Sequence, residues 1–598
     1  MGAWNLLVPA HRRIALASGL VIGTVVFIVV TGGAIINPTN RDWLMLGDSA
    51  QHYLGWAFFR STPLLQWPLG NNPKLGLEFS SSIVFTDSIP LVAFLVKPFD
   101  ALLPLTFQYF GAWIWLCFVL QAYFGYRLLE RWITDRVSCV LGAILLALAP
   151  VLSYRLVHQG YGHIALASHF LILAALGWYR DDTVRTRAWA MLACCALLIQ
   201  AYFVPLVLAI WIASLVRRRR PFRANAIDAA IVAASLGVVA VVSGFASLGG
   251  KLFVGDSSVT PADFPYRFRW QPMALVDSAT DFSSGWSHVM ANQLELFGDV
   301  EGFTYLGSGF LLVVVPVVLY LMVRRRSNDV THREVITVLA CVCVAAVVIP
   351  AKEFSTGIAI ALAAVVATFV IWAFLLRRDR SLVVAVALLG LYSMTMRPGI
   401  GRRTFFEYPL VPVLEQFTQT FRTHARSSWV LYYVVVIALV VWLATRVPRK
   451  LAILVLGLAV VVSVADSYPA LSQVRHRFTS QPVWVNQLDD PLWADVVRGR
   501  DSIITYPPLN NDIEGRWMQI EDFVQRHGMA TNAGYFSRWS LDTYVRENQR
   551  LHDDLRAGNL DRRSLYVIFD PEMWTFLSAD PSKYSFVGDI DGYLVVAP

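Results

Sequence analysis

The chain has 598 residues, of which 56% are hydrophobic and 15% charged, against about 45–50% apolar and about 25% charged in soluble domains. That balance excludes an ordinary soluble enzyme, a disordered chain and a disulfide scaffold, and it points to an all-α polytopic membrane bundle. The net charge of +8 comes from arginines clustered between apolar stretches, which is a sign of topology and not of a nucleic-acid partner.

Taken in chain order, the first apolar stretch is 14–36, preceded by Arg12 and Arg13. It is longer than a signal-peptide core and no clean cleavage site follows, so it is expected to be an uncleaved first helix with a cytoplasmic N-terminus. The stretch 83–99 is apolar enough to span. Counting it would place Arg127, Arg131, Arg136, Arg217–Arg220, Arg324–Arg326, Arg377–Arg380 and Arg446–Lys450 outside, against the positive-inside rule. It is therefore expected to be a re-entrant or interfacial helix on the outer side. Later spans are expected at 105–126, 137–153, 161–178, 189–200, 203–216, 226–246, 308–322, 335–350, 357–376, 381–396, 429–444 and 451–465, giving about 13 with the first. The pair around Tyr202 also fits one broken helix. The outer face then holds loops 37–104, 251–307 and 397–428 and a polar tail.

The division expected is a transmembrane domain, 1–465, and an extracytoplasmic domain, 466–598. The tail has strand-like runs at 502–506, 565–569 and 593–596 and a helical pattern at 542–556, the pattern of a small α/β domain. All six cysteines (Cys117, Cys139, Cys194, Cys195, Cys341 and Cys343) lie in apolar segments, as packing residues do. Walker A and Rossmann glycine motifs are absent.

In the first outer loop, Ala50, Tyr53, Leu54, Ala57 and Phe58 recur at helical spacing, with Asp48 at the start. Asp48 followed by Gln51 three residues on reads as a capping box, and equally as a general base at the outer edge of the bundle. Asp87, ahead of Pro90, carries the same ambiguity. Arg422 and Arg426 are four apart and would share a helical face. Guanidinium groups there suit phosphate oxygens, or else anchor the helix to headgroups. Arg402 and Arg403 are secondary candidates. His158, His163 and His169 cluster at a helix junction, where imidazoles could ligate a metal, but their spacing fits no standard metal pattern, so satisfied interfacial histidines are the favoured reading over a metal site. Asp299 and Glu301, ahead of Tyr305, read as solvated loop carboxylates or as polar groups aimed at a ligand. The run 532–538, Asn-Ala-Gly-Tyr-Phe-Ser-Arg, suits carbohydrate and ordinary turns alike.

Gly47-Asp48-x4-Tyr53 in a long loop after a single helix, interfacial helices and then a many-helix bundle resemble the GT-C superfamily of membrane glycosyltransferases. The segments 51–56, 81–90 and 305–309 resemble more closely a bacterial GT-C-like family. The resemblance implies an inverting glycosyltransferase of the bacterial inner membrane. It would take a sugar from a polyprenyl-phosphate donor and pass it to a glycan, lipid or protein acceptor, without a cofactor. In that reading Asp48 and Asp87 are catalytic, and Arg422, Arg426 and Arg403 hold the donor phosphate. His52, Tyr53, His163, Glu301, Tyr305 and His424 would touch substrate. A transporter or flippase of a lipid-linked glycan, or a non-catalytic envelope assembly protein, is the alternative.

Overall fold

A computed structural model describes residues 10–79, 82–157, 162–246, 268–278, 285–290, 298–323, 379–400, 403–409, 418, 420–509 and 514–598. Among these residues, six helices are long and apolar enough to cross a membrane: Arg12–Thr31, Phe110–Leu129, Arg136–Tyr154, Phe222–Ser243, His424–Arg446 and Arg449–Thr479. Shorter apolar helices stand at Ile164–Tyr179, Thr186–Ile199, Gly309–Val318 and Arg380–Ser393. The spans expected at 335–350 and 357–376 lie outside the described residues, as do Cys341 and Cys343.

The membrane part comprises α1 (Ala10–Thr31), α2 (Gly47–Arg60), α3 (Pro90–Val96), α4 (Phe110–Leu129), α5 (Arg136–Ala147), α6 (Pro150–Tyr154), α7 (Phe170–Tyr179), α8 (Thr186–Ile199), α9 (Phe203–Arg218), α10 (Phe222–Ser243), α11 (Val315–Val323), α12 (Arg380–Ser393), α13 (Trp429–Arg446) and α14 (Arg449–Thr479). A short antiparallel pair, β1 (Gly399–Ile400) and β2 (Arg403–Thr404), follows α12. Helix α13 is the hub, buried along nearly its whole length. A polar chain crosses its packing: Gln121 Nε2 donates to the Tyr433 hydroxyl, which lies 3.0 Å from His169 Nδ1. This chain pairs Gln121 Nε2, the Tyr433 hydroxyl and His169 Nδ1, while Gln121 Oε1 and His169 Nε2 stay unpartnered in the apolar interior.

No single helix runs through 83–99. A 3-10 turn (Ile83–Phe85) gives way to left-handed backbone at Asp87 and Ile89, each with φ 52°. Only α3 is helical beyond that, before a second 3-10 segment (Lys97–Leu102). Seven residues rise about 10 Å, a third of a bilayer core. Helix α2 is buried on all sides and lies under the tail, so it is a core helix and not the interfacial amphipath its pattern suggested. The expected domain boundary at 465/466 falls inside α14. Asp466 is buried there, accepting from Ser287 Oγ at 2.7 Å and from two backbone amides at 3.0 Å. This helix of 31 residues is about 46 Å long, more than a membrane needs, and its far end carries the chain into the tail.

The tail is α15 (Leu492–Val496), β3 (Ser502–Tyr506), α16 (Arg516–Arg526), β4 (Ala530–Thr531), α17 (Leu541–Ala557), β5 (Ser564–Ile568), α18 (Pro571–Ser578), β6 (Phe586–Ile590) and β7 (Tyr593–Ala597). The sheet order is β4-β3-β5-β7-β6, with β3 parallel to β4 and β5, and β7 antiparallel to β5 and β6. Ser540 caps α17 and Asp570 caps α18, each accepting from a backbone amide in the first turn. The tail is fastened to the first loop. Arg41 pairs with Asp522, Lys74 Nζ donates to the Gly528 carbonyl at 2.6 Å, and the Thr531 amide donates to the Lys74 carbonyl at 3.0 Å.

Candidate functional site

A cavity of about 290 Å³ opens between α2, the 83–90 bend, the α8–α9 break, the segment before α13 and the tail. Asp48 is the second residue of α2, whose N-cap is Leu46 with no side-chain cap. Its carboxylate lies 3.0 Å from His163 Nε2, and Gln51 donates elsewhere, to the Phe85 carbonyl at 3.2 Å. The capping box is therefore not formed, and the carboxylate is turned into the cavity. Asp87 likewise caps nothing, because α3 starts three residues later. It accepts from Gln200 Nε2 at 3.1 Å.

Two close approaches set this corner. Gly55 lies so near the bend that a Cβ there would sit 2.2 Å from Thr86 Oγ1. Gly162 has φ 74° and lies against the Leu156 carbonyl, which turns the chain so that the His163 amide reaches the Arg155 carbonyl at 2.7 Å.

The opposite wall is cationic. Arg422 Nη2 meets the Ser537 carbonyl at 3.4 Å, and Arg538 donates to the carbonyls of Ser537 and Thr420 at 2.6 Å each. Behind them, Glu301 takes Arg155 Nη1 at 2.8 Å and Arg426 Nε and Nη2 at 3.1 and 3.2 Å. Arg426 also covers the Tyr202 ring at 4.4 Å.

A family profile described as a domain of unknown function (DUF6311) matches residues 20–353 and 354–468, and the DUF6311 C-terminal domain matches 492–598. The chain belongs to the DUF6311 family. No curated protein matches it.

Electrostatics divide the cavity of this DUF6311 protein into two halves. Burial pushes the Asp48 carboxyl up, but His163, the Tyr535 hydroxyl and His52 outweigh it and hold the group well below the carboxylate range. Burial and the neighbouring Arg538 push the Arg422 guanidinium down to about 10. Tyr202 reports the same cationic field: burial alone would raise its hydroxyl, yet Arg426, Arg538 and Arg422 bring it below its ordinary value. Such a field favours an anion beside a fixed carboxylate.

The sequence-derived candidates separate by position. Asp48, Asp87, His163, Glu301, Arg422 and Arg426 line the cavity of the DUF6311 protein. Glu301 is buried between two arginines and is no solvated loop carboxylate. Arg422 and Arg426 do not share a helical face, because Arg422 precedes the 3-10 turn (His424–Ser428) that carries Arg426. They converge because the chain bends, and Arg426 is gripped by Glu301. Tyr53 faces away, under the Arg41 guanidinium at 5.8 Å; five residues of helix rotate about 140° from Asp48. Tyr305 is buried against Ser308 and Asp466, at 2.8 and 3.3 Å. His424 packs on Tyr392, its Nε2 3.3 Å from the Thr418 carbonyl. Neither lines the cavity. Arg403 lies in β2 and its side chain is outside the described residues, as are His158 and Arg402.

His52 stands directly behind the cavity wall, fully buried. Its ligand atom and those of Asp87 and His163 all lie within 4.8 Å of one another. Spacing gave no hint of this group, since the three come from separate segments. Spacing also missed Arg155, Gln200 and Tyr202 as site residues, whereas Tyr535 and Arg538, in the run 532–538 read as suiting carbohydrate or ordinary turns, line the cavity. A buried arginine at the end of an apolar run, Arg155, was the available signal.

Proposed function

We propose that this protein is a membrane glycosyltransferase that moves a sugar from a polyprenyl-phosphate donor to an acceptor hydroxyl, with inversion. The observation that carries this reading is one cavity with Asp48, held by His163, on one wall and Arg422 with Arg538 on the other. Asp48 would take the acceptor proton, and the arginines would stabilise the leaving phosphate, the kind of charge stabilisation that often dominates catalysis. Arg538 joins Arg422 in this role, because Arg426 is committed to Glu301.

The orientation in this reading is supported by the two ends of α13. Arg446 ends α13; beyond it Arg449 pairs with Asp135 at 2.7 Å, and Arg131 with Asp181 at 3.2 Å. The cavity and the tail sit at the other end. The positive-inside rule makes the arginine end cytoplasmic and the cavity and tail periplasmic, in a bacterial inner membrane.

The test uses purified protein and a synthetic polyprenyl-phosphate sugar. Arg422→Lys keeps the charge and loses the fork, so the donor KM should rise at least about tenfold with the fold intact. Unchanged donor saturation in Arg422→Ala and Arg538→Ala would return both residues to a structural role. The helix break between α8 and α9, which opens onto the cavity at Gln200 and Tyr202, favours a second reading, a flippase of a lipid-linked glycan. A flippase would move the donor across vesicles without cleaving its sugar–phosphate bond.

A further inference from the structure

His52 follows Asp48 by one helical turn, and neither of its buried ring nitrogens has a hydrogen-bond partner. Leaving a buried polar group unpaired in this way is unfavourable. What faces it is the Asp87 carboxylate and the His163 imidazole, with the three ligand atoms mutually within 4.8 Å. Three separate segments bring them there: α2, the left-handed bend at Asp87 and the turn after Gly162. Two of the three are also held by further polar partners. Asp48 lies 3.0 Å from one nitrogen of His163, and Gln200 holds Asp87 at 3.1 Å. Metal ligands are typically fixed by such outer partners.

We propose that His52, Asp87 and His163 bind a divalent transition-metal ion of the zinc class, with one coordination position open to the cavity. Two imidazoles and a carboxylate form a ligand set of catalytic zinc sites, which leave a fourth position free. The same set disfavours Mg²⁺ and Ca²⁺, which prefer oxygen ligands. Ligand atoms around a tetrahedral zinc ion are about 3.3–3.6 Å apart, so the side chains close by roughly an ångström on binding. Asp87 and His163 line the cavity and His52 lies behind them, which turns the open position inward. A phosphate or hydroxyl oxygen of whatever occupies the cavity is the natural fourth ligand. The site stands whether the protein transfers sugar or moves lipid.

The full-length chain in detergent, stripped with chelator and desalted, is titrated with Zn²⁺ alone and then with Co²⁺ as a spectroscopic substitute. One tightly held ion per chain, with Co²⁺ absorption of a low-coordinate nitrogen–oxygen site, is the expected result. Gln200→Ala should weaken binding about 10–100-fold through the outer partner, and Asp87→Asn and His163→Gln should weaken it further. Melting curves should show all three variants folded and matching the stripped wild type, with Zn²⁺ raising the wild-type midpoint most, that of Gln200→Ala less, and those of Asp87→Asn and His163→Gln least. Folded wild type that takes up no ion overturns the proposal. So does Zn²⁺ binding of equal strength in wild type, Asp87→Asn and His163→Gln, which would place the ion elsewhere. Binding is read without any transfer assay, so loss of the glycosyltransferase reading would leave this result intact.

Discussion

Asp48 is held ionised by His163 and Tyr535 and faces the cavity, so its replacement separates chemistry from folding. Asp48→Asn keeps the shape and cannot take a proton. Sugar transfer should fall about 10²–10⁴-fold in protein that still folds, with a lower melting midpoint because the stabilising pairs of the ionised carboxylate are lost; near-wild-type transfer would remove the base assignment. A second buried acid tests the tail. Glu521 on α16 is 1% exposed, with one carboxyl oxygen unpaired, and burial raises its carboxyl well above the ordinary 4.5. A raised folded value means the group favours the fold below 4.5 and costs stability as pH climbs above it. Glu521→Gln should therefore raise the melting midpoint at neutral pH, with a gain growing by about 1.4 kcal/mol per pH unit until the folded group ionises. The advantage should vanish in acid, and a gain independent of pH would refute it. At this scale, residue type was more legible than residue role. Asp48 and Arg422 stood out as charges beside apolar runs, but their partners, His163 and Arg538, come from segments that no local spacing connects to them.

Helix α2 sits against the 83–88 bend through Gly55, where an added Cβ would meet Thr86 Oγ1 at 2.2 Å and Ser88 Oγ at 2.5 Å. Gly55→Ala should therefore cost about 1–3 kcal/mol by overpacking, read as a lower melting midpoint in detergent. Its activity should fall as well, because the displaced bend carries Asp87. A variant as stable as wild type would mean the bend yields freely. Periodicity made α2 legible as a helix though not its burial on all sides, and apolar runs and strand patterns made the long helices and the central strands of the tail legible. It failed at 83–99. Hydropathy there is continuous, but the backbone is broken by two left-handed residues that composition does not announce. It failed again at the α14 boundary, where polar residues continue a helix past the point at which the apolar run ends.

For the molecule as a whole, sidedness is the decisive test. Ser582→Cys on the exposed face of the tail should react with a membrane-impermeant maleimide on intact spheroplasts. Arg219→Cys, at the arginine end of α9, should react only after lysis. The reverse pattern would invert the whole assignment and put the cavity on the cytoplasmic side. The helical membrane part and the sheet-bearing tail were each legible from composition, whereas their mutual grip was not, because it rests on pairs such as Arg41–Asp522, 481 positions apart. That separation has a consequence for biogenesis. Helices α1 to α14 precede the tail in order of synthesis, so a nascent chain inserts its membrane part while Tyr535 and Arg538 are still unmade. The cavity lining is incomplete until the tail has folded and docked on the first loop. A stalled or prematurely terminated chain therefore lacks the Tyr535–Arg538 part of the lining and leaves Arg422 and Arg426 in an open, unfinished cleft.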